Sequence, residues 1–150
     1  MAADRIQVVA LALANLVLAA YMTGLIWFVG VVHYPLFARV GRADWAAYER
    51  AHRVRTTYVV APPMLAQVPI GIALIAGPPV DADVALAVTN LACVAVALGS
   101  TGLVFGPAHA RLERRWTHGD HRLLVRGNWL RVAAWTAQTA VALALVGQAA

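Results

Sequence analysis

The side chains able to do chemistry in this chain are few and unevenly placed. They comprise five histidines, His33, His52, His109, His118 and His121, two glutamates, Glu49 and Glu113, and arginines crowded around them. Glu49 and His52 stand at i and i+3, so on a helix they share a face, the arrangement that carboxylate-bridged di-metal bundles place on their helices. A di-iron site would need that motif twice and two further carboxylates, and only Glu113 and Asp120 remain nearby. A mononuclear centre on His33, His52 and His109, with Glu49 as ligand or orienting group, fits the inventory better, because imidazole suits iron, copper or zinc. Two of those histidines could equally hold a haem iron from opposite faces. His118 and His121, in an arginine-rich connection, read as exposed residues near lipid headgroups. The single cysteine, Cys93, lies inside an apolar stretch and offers neither a disulfide framework nor a thiolate site.

The elements that must position these groups are apolar throughout. Four stretches, roughly 6–37, 58–77, 84–107 and 129–146, approach or exceed the ~20 residues a helix needs to cross hydrocarbon. With 61% hydrophobic and 13% charged residues, the chain is too apolar for a soluble domain to hide in one core. A soluble four-helix bundle would also need polar faces at a period of 3.6, and segments such as 84–98 and 132–146 offer little of one. The expected fold is all-α: a single integral membrane domain, a four-helix transmembrane antiparallel bundle with helical extensions on the cytoplasmic side. Its first segment is expected to be retained as a helix, since its apolar run is too long for a signal-peptide core and its start carries no net positive charge.

The formal net charge of +5 would suggest nucleic acid in a soluble protein. Here every basic residue is arginine and most flank helix ends, where they act as topology signals, so no nucleic-acid partner is expected. Arg39, Arg42, Arg50, Arg53 and Arg55 fill the first connection; Arg111, Arg114, Arg115, Arg122 and Arg126 fill the third. The middle one, Pro78 to Asp83, has none. The arginine-rich connections are therefore expected in the cytoplasm of a bacterial-type inner membrane, with both termini outside. All five histidines then lie on one side, and each of the four helix ends there contributes at least one. In an antiparallel bundle these ends are neighbours in space.

Local signals refine the elements. Gly41 and Asp44 look like a helix stop and an N-cap, after which Trp45 to Arg55 is good helix sequence that runs towards the second span. Pro62 and Pro63 predict a kink or break in that span, and Pro69 a second bend. Gly119 and Asp120 predict a turn, with Asp120 as cap of a short helix leading to Asn128. In the fourth helix, Asn128, Arg131, Trp135 and Gln138 step by three, four and three residues and form one polar stripe. An arginine within a span is costly unless it meets water, a partner or a phosphate, so Arg131 is expected to face the interior and to find Glu49 or Asp120. Asn15, Thr23, Gln67, Asn90, Ser100 and Thr101 read as interhelical hydrogen-bonding groups. Trp27, Phe28, Tyr34, Phe37, Tyr58, Phe105 and Trp129 read as an aromatic belt at headgroup depth, or else as the wall of a flat apolar substrate pocket.

The segments Trp27 to Phe37, with its Val-Val-His33-Tyr-Pro core, His52 with Val59-Val-Ala-Pro-Pro-Met64, and Asn128-Trp-Leu-Arg131-Val-Ala-Ala-Trp135 resemble those of an uncharacterised group of small bacterial four-span membrane proteins. More distantly the chain is similar to the anthrone-oxygenase-like membrane family, whose last helix also carries an Asn followed by an Arg three residues on. That resemblance implies oxygen-dependent chemistry on a flat, membrane-soluble aromatic, with Asn128 and Arg131 as the matching catalytic positions. Three functions are therefore in view. The first is a membrane oxidoreductase or oxygenase with a bound metal or haem and a lipophilic small molecule as substrate. The second is a non-catalytic accessory subunit whose small residues pack against partners or against copies of itself as a homo-oligomer. The third is transport, which the apolar outer halves of the helices do not favour.

Overall fold

The computed structural model describes residues 2–77 and 84–149, with side chains from residue 5 onwards; the Pro-rich acidic turn at 78–83 lies outside the described residues. Among the described residues the backbone is helical almost throughout, with no strand. Helix α1 (Ala2–Phe28) continues through a π-helical turn, Val29–His33, into the short α2 (Tyr34–Leu36) and a closing 3-10 turn, Phe37–Arg39. Helix α3 (Trp45–Ala76) comes next. Helix α4 (Val84–Ser100) passes through a second π-helical turn, Thr101–Phe105, into α5 (Gly106–Arg114), and α6 (His118–Ala149) completes the chain.

These segments form four rods long and apolar enough to cross a membrane: Arg5–Arg39, Trp45–Ala76, Val84–Arg114 and His118–Ala149. Only 22 to 39% of the most apolar window of each is buried inside the bundle. Large apolar side chains such as Ile6, Val17, Tyr58 and Leu103 therefore point outwards with nothing among the described residues to cover them. A bundle hydrophobic on its outside as well as its inside fits a polytopic membrane protein, because only lipid makes such an exterior inexpensive. The rods pack in a ring, α1 against α3, α3 against α4, α4 against α6 and α6 back against α1. The short connections make successive rods antiparallel.

Three local expectations are met in part. Helix α3 keeps Pro62, Pro63 and Pro69 inside one uninterrupted helix, so of the expected kink or break the break is absent; in hydrocarbon, ending a helix exposes several backbone groups, which costs more than the few hydrogen bonds proline removes. Asp44 stands at the N-cap position of α3 as expected, without a capping hydrogen bond to its side chain. At α6 the cap is Thr117 rather than Asp120: the Thr117 hydroxyl accepts the Asp120 backbone N–H at 3.0 Å and donates to Asp120 Oδ2 at 2.8 Å. Asp120 thus serves as the reciprocal partner three residues on, and α6 runs unbroken through Asn128.

The core has two apolar parts. One, around Leu74, Ala87 and Leu145, lies towards the end that carries the chain termini. The other, around Phe37, Phe105, Leu112, Val132 and Trp135, lies at the histidine end. Buried amides tie opposite rods across the ring: Asn15 and Asn90 join α1 to α4 at 2.9 Å, and Gln138 donates to Gln67 between α6 and α3 at 2.6 Å. Such pairs matter through the cost of leaving one member alone. Asn90→Leu, which strands the fully buried Asn15 amide, is expected to lose about 1–3 kcal/mol in a denaturant titration of the detergent-solubilised protein, and Asn15→Leu/Asn90→Leu to lie closer to wild type than the single variant.

Close backbone approach positions the histidine end. A Cβ at Gly30, within the first π-helical turn, would meet Asn128 Nδ2 at 2.7 Å, so glycine there lets α6 bring its polar stripe against α1. Gly127 does the same beneath the Phe105 ring, where a Cβ would stand 2.9 Å away. Trp45 Nε1 donates to the Leu112 carbonyl at 2.6 Å, satisfying one of the carbonyls that the end of α5 leaves free and fastening α3 to α5.

Candidate metal centre

The first rod delivers His33 and Tyr34 from its irregular end, α3 delivers Glu49 and His52 from its first turns, α5 delivers His109, and α6 delivers Asn128 and Arg131. Both π-helical turns lie at or just before the site residues of their rods. A π-helical turn inserts an extra residue into a helix and re-aims the side chains beyond it, and such turns recur at functional sites.

Three of the sequence-derived ligands converge. One ligand atom each from Glu49, His52 and His109 lies within 4.8 Å of the other two. Glu49 is wholly buried, His109 is buried, and His52 is partly so. His33 joins the group from behind, its Nε2 standing 2.9 Å from His52 Nδ1, with the Thr56 hydroxyl 3.0 Å from the same nitrogen. The ring centroids are 4.7 Å apart for His33 and His52 and 5.3 Å for His52 and His109. His33 therefore orients His52 rather than completing the converging set. The Phe37 ring, fully buried, packs edge-on against His33, His52 and His109 and holds the imidazoles in place.

A buried hydrogen-bonded chain runs through the same volume. Glu49 Oε1 lies 2.5 Å from His109 Nδ1, and His109 Nε2 lies 2.9 Å from the Tyr34 hydroxyl. Arg131 Nη2 donates to the Tyr34 oxygen at 3.0 Å and to Asn128 Oδ1 at 2.6 Å, while Asn128 Nδ2 donates to the Ile26 carbonyl at 3.2 Å. The guanidinium only donates, so the Tyr34 oxygen accepts from it, and the direction of the Tyr34–His109 Nε2 hydrogen bond follows the imidazole tautomer. In the tautomer with the proton on His109 Nδ1, that proton goes to Glu49, the carboxylate–histidine pairing found behind metal-ligating imidazoles, and a metal ion at Nε2 would take the place of the Tyr34 proton there. The second Glu49 oxygen, Oε2, is buried and meets no partner among the described residues. A carboxylate oxygen in that position calls for a cation or a proton.

Arg131 faces the interior as expected, but its partners are not the expected carboxylates. Glu49 is engaged with His109, and Asp120 is held by Arg111 at 2.6 Å, because α6 turns Asp120 towards α5. Glu113 is likewise taken by Arg50 at 3.0 Å and by Arg53 on α3. His121 donates from Nε2 to the Tyr34 carbonyl at 2.9 Å and packs on Trp116, a structural anchor; His118 stays outside the cluster beside Trp116. The expected aromatic belt divides in two. Trp27, Phe28, Tyr58 and Trp129 do face outwards, whereas Tyr34, Phe37 and Phe105 are buried in the site. Tyr34 is the residue whose hydrogen-bonding role the sequence did not show, since it read only as belt or pocket wall. Its place beside His33 before a proline marked a helix end, and nothing in that spacing distinguished inside from outside.

Next to the cluster the four rods line a half-open cavity of about 280 Å³. Its polar end is formed by Tyr34, His52, His109, Arg131 and the hydroxyls of Thr56 and Thr101. Its remaining wall is mostly apolar, with Met22, Ile26, Val29, Met64, Phe105 and Trp135, and Arg53 and Thr57 also line it. Compared with protein families, with curated proteins and with solved structures, the chain finds no match, so the meaning of this site rests on its own geometry.

Proposed function

We propose that this protein is a membrane oxidoreductase of the oxygenase type that holds a redox-active metal ion, iron in the first instance, on Glu49, His52 and His109 and acts on a lipophilic molecule in the adjoining cavity. The observation that carries this is the convergence of two imidazoles and one carboxylate on one buried point, with an orphaned Glu49 oxygen among them. Two histidines and one carboxylate with open positions form the set that non-haem iron(II) oxygenases use, and such an ion supplies oxygen activation when bound. The chain's own residues do the remaining work. His33 and Thr56 orient His52, the Glu49–His109 pair is set by the Tyr34 hydroxyl, and Arg131 with Asn128 holds that hydroxyl in place. The apolar wall keeps bulk water from the substrate. We place the site at the cytoplasmic leaflet, since the arginine-rich connections flank it, with both termini on the outer side.

The test is iron loading of the purified, metal-stripped protein in detergent under anaerobic conditions. The expected result is stoichiometric iron that resists desalting and forms a nitric oxide adduct with its characteristic paramagnetic resonance, which requires an open position. Protein that retains neither iron nor cobalt overturns the proposal. Zinc retained to the exclusion of iron removes the redox part, because the same donor set also serves hydrolytic zinc. A Soret band in the purified protein would identify haem instead, for which His52 and His109 would have to part from their present spacing.

A further inference from the structure

The cavity contains a cation without a counter-charge. Arg131 is 7% exposed, lies within a span, and meets no carboxylate among the described residues. Its Nη2 is spent on two neutral oxygens, Tyr34 Oη and Asn128 Oδ1, and its Nε is buried with no partner. The guanidinium carbon lies 4.0 Å over the Phe105 ring, which fixes the plane of the group and returns only part of its lost hydration. Breaking or omitting one member of a buried pair is strongly unfavourable, more so in lipid than in a soluble core. A guanidinium kept in that state at the polar end of an otherwise apolar cavity is poised for an anion supplied from outside the chain.

We infer that the cavity binds a single-chain lipophilic anion, its carboxylate or comparable oxyanion head against Arg131 beside the Thr56 hydroxyl, its tail among Met22, Ile26, Val29, Met64 and Trp135. The inference rests on the cavity being the substrate site proposed above, and names the chemical class of the molecule that enters it. A volume of about 280 Å³ admits one short chain or a small ring system and excludes the two acyl chains of a phospholipid. Arg53 also lines the cavity, but it is 41% exposed and already engaged, with Arg50, by Glu113, which leaves Arg131 as the buried group that selects charge.

The experiment uses the full chain in phosphatidylcholine nanodiscs, first without metal. Terminally brominated decanoate is titrated while tryptophan fluorescence is followed, since Trp135 lines the cavity and bromine quenches at contact. Quenching is expected to saturate, to be competed by plain decanoate, and to be competed at least about tenfold less well by decanol or by decyltrimethylammonium. Arg131→Gln is expected to weaken decanoate at least about tenfold and to leave decanol unchanged. The head-group comparison on wild-type protein keeps the test decisive should that variant fold poorly. Nanodiscs containing phosphatidylglycerol distinguish the sources of the anion: competition by that lipid assigns the site to headgroups of the bilayer and overturns the single-chain assignment. Decanol equal to decanoate also overturns the inference. Decanoate bound only after iron is added overturns it too, since the metal rather than Arg131 would then hold the head. Decanoate bound by protein that takes up no metal leaves the inference standing while the proposed oxygenase falls.

Discussion

His109→Ala is expected to abolish stable metal retention, with a loss of at least about a hundredfold in cobalt affinity read from the ligand-field absorption of the titrated protein. His109 is the hinge of the site: one ring nitrogen faces Glu49 at 2.5 Å, the other faces Tyr34 at 2.9 Å, and its ring packs between His52 and Phe37. Alanine removes a ligand and also strands Glu49 and the Tyr34 hydroxyl, so the same variant is expected to unfold about 1–3 kcal/mol more easily. Glu49→Gln separates the two effects. It preserves the shape and a hydrogen-bonding oxygen for His109 but removes the charge, so metal affinity should fall as steeply while stability changes less. His33→Ala is expected to be milder, about tenfold in affinity, because His33 touches His52 from behind and the orienting contact, not a ligand, is lost. Equal losses for His33→Ala and His52→Ala would show that His33 is a ligand.

The largest loss of stability is expected from Phe37→Ala, about 3–5 kcal/mol by chemical denaturation in detergent. Phe37 is fully buried, and its ring lies between the first rod and α3, edge-on to His33, Trp45, Tyr48 and His52. Its removal leaves a void beneath the imidazoles that the rigid helix ends cannot close, so the cost combines lost transfer energy with the cavity itself. Metal affinity is expected to fall as well, since His33 and His52 lose the surface that fixes their rotamers. Tyr58→Ala provides the contrast. Tyr58 is 76% exposed towards the surrounding lipid or detergent, and its truncation should stay within about 0.5 kcal/mol. If Tyr58→Ala proved as damaging as Phe37→Ala, the aromatic side chains would be acting at an interface with another chain rather than at the bundle's core.

Much of this architecture was legible because lipid leaves a chain few options. Spans of about twenty apolar residues must be helical, and arginine-poor and arginine-rich connections must alternate, so four rods and a shared histidine end could be read from composition and order alone. The i, i+3 spacing of Glu49 and His52 placed two ligands together for the same reason, since both sit on one helix. The polar stripe of α6 also turned inwards as its period required, with Asn128, Arg131, Trp135 and Gln138 all buried.

Partnership across helices was the illegible part. Period specifies which face of a helix turns inwards, but not how deep one rod sits against the next. Arg131 was expected to meet Glu49 or Asp120 and instead meets Tyr34 and Asn128, because the close approach at Gly30 seats α6 against α1 and the turn at Thr117 swings Asp120 towards Arg111. Tyr34 was indistinguishable from the interfacial aromatics until two π-helical turns, which carry no period of their own, re-aimed the ends of their rods. Residue types and their order along the chain by themselves determined four apolar rods with their histidines at one end. Only the tertiary structure decided that Glu49, His52 and His109 converge, that His33 stands behind them, and that Arg131 faces a cavity without a counter-ion. The physical reason is that hydrophobicity and helical period act within a segment, whereas the choice of partner depends on the depth and rotation of separate helices, set by side-chain packing between them.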